Sequence, residues 1–305
     1  MKRLLSLRIL LLLMLFSQVS GSRAATPADR PATHPSFAVQ VVGKGQPMLL
    51  IPGLTCPGAV WQETVANYQK QYQCHIISLA GFGGLSPQQP VPEHLLQEVR
   101  DQLLAYIHAQ RLVKPIIVGH SLGGFLALWA STTEPTTVGP LVIVDSLPFL
   151  AAVQNPAMTA DAAKPLAEGM RQQMRQGKTT IEAARQMSAS LMTDTARISQ
   201  AARWSMASEP GTVAQAMYDL YTTDLRPDIA RIQQPVLVLG AWAAYKQYGS
   251  TKESTRAIFE QQYAKLPQHH IEMSEAGKHF LMWDDQAWFF AQTDAFLKQL
   301  YVARK

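Results

Sequence analysis

Pro115-Ile116-Ile117-Val118-Gly119-His120-Ser121-Leu122-Gly123-Gly124-Phe125-Leu126-Ala127-Leu128-Trp129 holds a strand, a tight turn and a helix start within fifteen residues. The apolar run Pro115 to Val118 is β-type, and Phe125 to Trp129 is helix-compatible. Between them lies a G-x-S-x-G element. A strand that turns directly into a helix leaves little room for side chains beside the serine, which accounts for glycine at 119 and 123. The same turn holds the Ser121 hydroxyl out at the head of the helix, a presentation suited to a nucleophile.

Working outward, short β-type runs alternate with longer helical ones. Strands are expected at Phe37-Val42, Met48-Ile51, Cys74-Leu79, Pro115-Val118, Leu141-Val144, Val236-Leu239 and His270-Met273. Helices are expected at Ala59-Lys70, Glu93-Arg111, Ser121-Ser131, Lys252-Leu266 and Asp285-Tyr301. Several strands are continuous apolar runs, as they must be when both faces of a sheet are covered. The fold class is therefore α/β, a mostly parallel, doubly wound sheet. From Leu147 to about Pro227 no strand pattern occurs, only Ala-, Met-, Gln- and Arg-rich helical stretches. This divides the chain into a first core segment, 25–147, a helical cap insertion, 148–226, and a second core segment, 227–305. Methionines 158, 170, 174, 187, 192, 206 and 217 either line a pliable pocket or fill the insertion's own core.

The 305 residues carry a formal net charge of +5, which on its face suggests an anionic partner. Much of it sits at the start. Lys2, Arg3 and Arg8 precede or interrupt the apolar run Ile9 to Phe16, and Ser22-Arg23-Ala24 has the small residues of a leader-peptidase site. Residues 1–24 read as a signal peptide. Removing them takes away four of 27 basic residues and none of 22 acidic ones, leaving 23 against 22, a net of +1. No electrostatic case for nucleic acid survives. The apolar stretch is short for a bilayer span of about 20 residues, so no stable membrane anchor is expected and the mature protein should be periplasmic or secreted. Two cysteines, Cys56 and Cys74, cannot make a zinc ribbon. They fall toward opposite ends of adjacent parallel strands, which predicts two free thiols.

With its strand and helix in place, the serine element resembles that of the alpha/beta-hydrolase superfamily, and the resemblance extends over nearly all of the mature chain. Met48-Leu49-Leu50-Ile51-Pro52-Gly53-Leu54, followed by Trp61, is similar to the family's strand and oxyanion loop, with Pro52 where many members have histidine. Ala80-Gly81-Phe82-Gly83-Gly84 is similar to a loop at the family's active-site entrance. The resemblance implies an oxyanion hole made by the amides of Leu54 and Leu122, with donors typically worth about 3–4 kcal/mol each.

A serine needs a base. His279, in a Gly-containing loop after the last strand and before the final helix, stands where the family's catalytic histidine stands. His120 lies inside the turn and is poorly placed to take a proton from its neighbour. The acid departs from the common pattern, because Gly240 to Tyr248, after the strand where most members carry it, contains no carboxylate. Asp145, directly after Leu141-Val144, is the leading candidate and preserves the order Ser, Asp, His; Glu253 and Asp284 are the alternatives. Asp284 and Asp285 also suit a helix cap.

These residues imply an exported serine hydrolase that cleaves small or medium carboxylic esters through an acyl-enzyme, with no cofactor or metal. A serine at this position argues against the family's dehalogenase and epoxide hydrolase branches, which use aspartate. Trp242, Tyr245 and Phe149 are expected to make an apolar substrate pocket or to pack cap against core. The alternatives are a lactonase and a non-catalytic ligand-binding protein that keeps the fold; the absent carboxylate at 240–248 is the one feature favouring the latter.

Overall fold

Side chains alternate between two faces along a strand, and in this chain the alternation sorts the core into two layers. The computed structural model describes residues 34–302 other than 178; the expected signal peptide, 1–24, lies outside them. Strands β1 (Phe37–Val42), β2 (Gln46–Ile51), β3 (Tyr72–Leu79), β4 (Ile116–His120), β5 (Leu141–Val144), β6 (Val236–Gly240) and β7 (His269–Met273) form one sheet in the order β1-β3-β2-β4-β5-β6-β7. β1 runs antiparallel to β3, and the other pairings are parallel. All seven coincide with the runs expected from sequence, to within two residues at each end.

On one face Leu49, Ile51, Ile117, Leu141, Ile143 and Val238 share a cluster with side chains of helices α2 (Leu95–Ala109) and α3 (Leu122–Thr133). On the other, Met48, Leu50, Ile116, Val118, Val142 and Val144 meet residues of α1 (Gln62–Tyr68), whose start is preceded by a 3-10 turn. β5 is entirely buried. Side chains of this size contribute about 1.5–3 kcal/mol each when fully buried.

Between β5 and β6 the chain makes four helices that fit a cap: α4 (Ala160–Gln176), α5 (Ile181–Leu191), α6 (Thr195–Met206) and α7 (Pro210–Thr222). Each starts at a side chain that accepts a hydrogen bond from the first turn, namely Thr159, Thr180, Asp194 and Glu209. The chain then completes the core with α8 (Lys252–Tyr263), the short α9 (Leu281–Asp284) and α10 (Gln286–Val302). Ala216 and Leu220 of α7 join the first cluster, and Ala201 of α6 joins the second. Of the cap methionines, Met192 is buried in the second cluster, Met217 is half-buried against the first, and Met187 and Met206 are exposed.

Among the polar contacts that fasten the insertion are three sets. The Glu209 amide donates to the Gly81 carbonyl at 2.8 Å, and the Gly83 amide to Ser208 Oγ at 3.0 Å. Asp219 Oδ2 accepts the Leu96 amide at 2.8 Å, at the start of α2. Asp284 Oδ1 accepts both the amide and the hydroxyl of Thr193 at 3.0 Å, while Lys278 Nζ donates to the carbonyls of Ala189 and Met192 at 2.9 and 3.3 Å. Cys56 and Cys74 are buried and unbridged; burial pushes their thiols up to about 12 and about 11.

Candidate active site

The strand order reverses direction around β2 and β4, and ligands of open α/β sheets bind at such a point, beyond the carboxyl ends of the strands. Ser121 sits there, the single residue between β4 and α3. Its backbone has φ 51° and ψ −117°, a sparsely populated conformation that costs about 1–3 kcal/mol and that surrounding structure must enforce. The Ser121 amide donates to the Val144 carbonyl at 2.9 Å, and its carbonyl accepts the amides of Gly124 and Phe125. A β-carbon at 119 would overlap the Gly123 carbonyl, and one at 123 the Ile51 carbonyl, so the turn closes only with glycine at both. The serine side chain makes no capping bond to its helix. Leu122 opens α3, so its amide belongs to those a helix start leaves without an intrahelical partner.

Asp145 follows β5 at once, with φ 46°. Its amide bonds the Leu239 carbonyl at 2.7 Å, and Oδ1 accepts the Ala241 amide at 2.9 Å, so the end of β6 holds the carboxylate from below. Oδ2 lies 2.6 Å from His279 Nδ1, with side-chain exposures of 4% for Asp145 and 15% for His279. An ionised carboxylate only accepts, so Nδ1 carries the hydrogen and Nε2 presents its lone pair. An imidazole held in this tautomer can take a proton at Nε2 while the carboxylate supports the resulting cation.

The other two carboxylates are engaged elsewhere. Glu253 is exposed in the first turn of α8, where its own backbone amide and then the Thr251 hydroxyl hold its carboxyl below the ordinary range. Asp284 is taken up by Thr193 and by the Lys278 amide at 3.3 Å. Asp285 Oδ2 accepts the Ser274 hydroxyl at 2.7 Å. Among the remaining histidines, His75 is buried against Tyr106 Oη at 2.6 Å and burial drives it down to about 4, while His108 pairs with Glu134 at the surface. His120, unsuited as a base, touches His279 directly, a contact between residues 159 apart that nothing local in the sequence announces.

Leu54, Leu147, Val213, Met217 and Trp242 are half-buried and packed against the first core cluster. Trp242 has a buried indole N–H without a partner, and Lys246 stands 5.9 Å from its ring. Tyr245 is 37% exposed on the turn after β6. Phe149 is fully buried, packed with Ala152 and Ala163 beneath the Arg226 guanidinium at 4.8 Å. No group of three or more His, Cys, Asp or Glu among the described residues could hold a metal ion, and no helix among them is long and apolar enough to cross a membrane.

The chain is similar to known proteins. A pimeloyl-[acyl-carrier protein] methyl ester esterase of Aliivibrio salmonicida (strain LFI1238) is 26% identical over 260 residues, 81% of this chain and 96% of its own. The crystal structure of a hydrolase from Pseudomonas aeruginosa PA01 superposes with a TM-score of 0.69 at 17% identity, covering 86% of this chain and 94% of that one. The enol-lactonase from Burkholderia xenovorans LB400 superposes with a TM-score of 0.67 at 13% identity, over 86% and 96%. Residues 48–292 match the profile of the alpha/beta hydrolase family, a span that runs from β2 through the serine turn and the cap into α10, and the chain belongs to that family.

Proposed function

We propose that this protein is an exported serine hydrolase that cleaves small or medium carboxylic esters through an acyl-enzyme. The observation that carries the reading is the 2.6 Å bond from Asp145 to His279 Nδ1, made at the same sheet edge that holds Ser121 in a strained turn. In this reading Ser121 Oγ attacks the acyl carbonyl and His279 Nε2 takes its proton. Asp145 keeps the imidazole in its tautomer and stabilises the imidazolium. The amides of Leu122 and Leu54 receive the oxyanion. Collapse of the tetrahedral intermediate expels the alcohol, which takes the proton from His279, and water then cleaves the acyl-enzyme by the same steps. The A. salmonicida relative is named for a methyl ester, which favours a small alcohol as leaving group. Export rests on the leader-like residues 1–24.

A fluorophosphonate probe tests the reading, because only an activated serine reacts quickly. The protein should be labelled at Ser121 and should hydrolyse p-nitrophenyl and methyl esters. Ser121→Ala should lose both properties while folding normally. Substantial turnover by that variant would refute the nucleophile, and absence of labelling in the unmodified protein would favour a binding protein. A lactone substrate belongs in the same panel, since the chemistry differs only in the tether between acyl and alcohol.

A further inference from the structure

His279 is bonded at two points. Asp145 takes its side chain, and His120 takes its main chain: His120 Nε2 lies 3.0 Å from the His279 carbonyl oxygen. A carbonyl only accepts, so Nε2 carries the hydrogen and Nδ1 is bare. That Nδ1 is buried and has no partner. His120 is 1% exposed at the end of β4, its ring centroid 4.6 Å from those of both His279 and Phe280. Burial first, and His279 second, hold its pKa well below the ordinary histidine value, so the ring stays neutral.

Packing alone does not call for histidine here. An apolar ring would fill the space without leaving a buried nitrogen unsatisfied, and only the Nε2–H reaches the next loop. The site is also closed from the opposite side, since a β-carbon on Gly53 would stand 2.8 Å from His120 Nδ1 and 3.3 Å from Ser121 Cβ. His120 cannot retreat, and it is covalently joined to Ser121.

We propose that His120 is a positioning residue: its Nε2–H bond to the His279 carbonyl sets the distance between the serine and the imidazole, tying together two loops 159 residues apart. It rests on the roles proposed above for Ser121 and His279. His120 itself takes no proton during turnover. Without the bond the 274–280 loop keeps its other anchors but loses its tie to the residue beside Ser121, and a misplacement of about 1 Å can cost about 100-fold in rate.

The test compares His120→Leu, His120→Phe and His120→Gln with the unmodified protein and with Ser121→Ala, using p-nitrophenyl ester turnover, fluorophosphonate labelling rate and thermal unfolding. Leucine and phenylalanine remove the donor; glutamine offers an amide N–H at similar reach. The expected result is a fall of about 100-fold in kcat with KM changed less than about threefold for Leu and Phe, slowed labelling in proportion, and recovery to within about tenfold in Gln. Phenylalanine carries the comparison if leucine does not fold. Full kcat in either apolar variant, or a folded glutamine variant as slow as they are, would overturn the positioning role while a dead Ser121→Ala left the nucleophile standing. An active Ser121→Ala would overturn both.

Discussion

Asp219 joins α7 of the cap to the start of α2, and it does so as a nearly buried acid, 6% exposed. Oδ1 accepts the Gln215 amide at 2.9 Å, and that amide also reaches the Glu93 carbonyl at 2.7 Å. Burial pushes the carboxyl from 3.8 up to about 6, against the weaker opposing pull of the Leu96 amide, Gln215, His94 and Arg171. The sign follows directly. Between these two values the folded protein binds the proton that the unfolded chain has released, so this group stabilises the fold fully below about 3.8 and loses that contribution as pH rises through about 6. A difference of about two pKa units corresponds to about 3 kcal/mol. Asp219→Asn keeps the shape and one acceptor but never ionises. Urea unfolding followed by tryptophan fluorescence, at half-unit steps from pH 4 to 7.5 on both proteins, isolates this group from the carboxylates that titrate in the opposite sense, such as Glu134 and Glu209. The stability of the variant relative to the parent should rise by about 3 kcal/mol across that range. A difference that stays flat, or that falls with pH, would mean that burial does not hold a proton on Asp219.

Asp145→Asn should lower kcat by about 10⁴-fold, the size of the effect in the serine-protease triad, whereas Glu253→Gln should leave ester turnover unchanged; assays of both at one pH, with circular dichroism to confirm folding, decide it. Cys56 and Cys74 should be silent to a thiol reagent in the native protein and both titrate on unfolding without reductant, and a count below two would mean a bridge. Mass spectrometry of the protein recovered outside the cytoplasm should find its first residue at Ala25 or within a few positions, as proposed export requires, and an intact Met1 would point to an uncleaved leader.

The strands are legible in the sequence because a sheet covered on both faces demands continuous apolar runs, and Leu141-Val142-Ile143-Val144 can hardly be anything else. The cap reads only as helical, since its division into four depends on single residues, Thr159, Thr180, Asp194 and Glu209, whose capping role is one among several such side chains can play. Ser121 and Asp145 stand directly at strand ends and His279 in the loop after β7, so their neighbourhood follows from chain order. The bond between the last two follows from packing, and the contacts of His120, Lys278 and Asp284 join segments far apart in sequence without any local pattern. Phe149 shows the limit from the other side: an aromatic residue at a strand's exit suits a pocket, yet here it is sealed under Arg226.

The three attachments of the cap bear on how the site chooses its substrates. Lifting the four helices as one piece would break these three sets of contacts together, along with the Arg197–Glu63 pair, and at about 1 kcal/mol for each set such an opening would be populated by fewer than about one molecule in a hundred. The closed arrangement therefore predominates, with the open one a minor population. An ester too bulky for the closed arrangement must wait for that minor population, so its apparent affinity falls by the same fraction rather than to nothing.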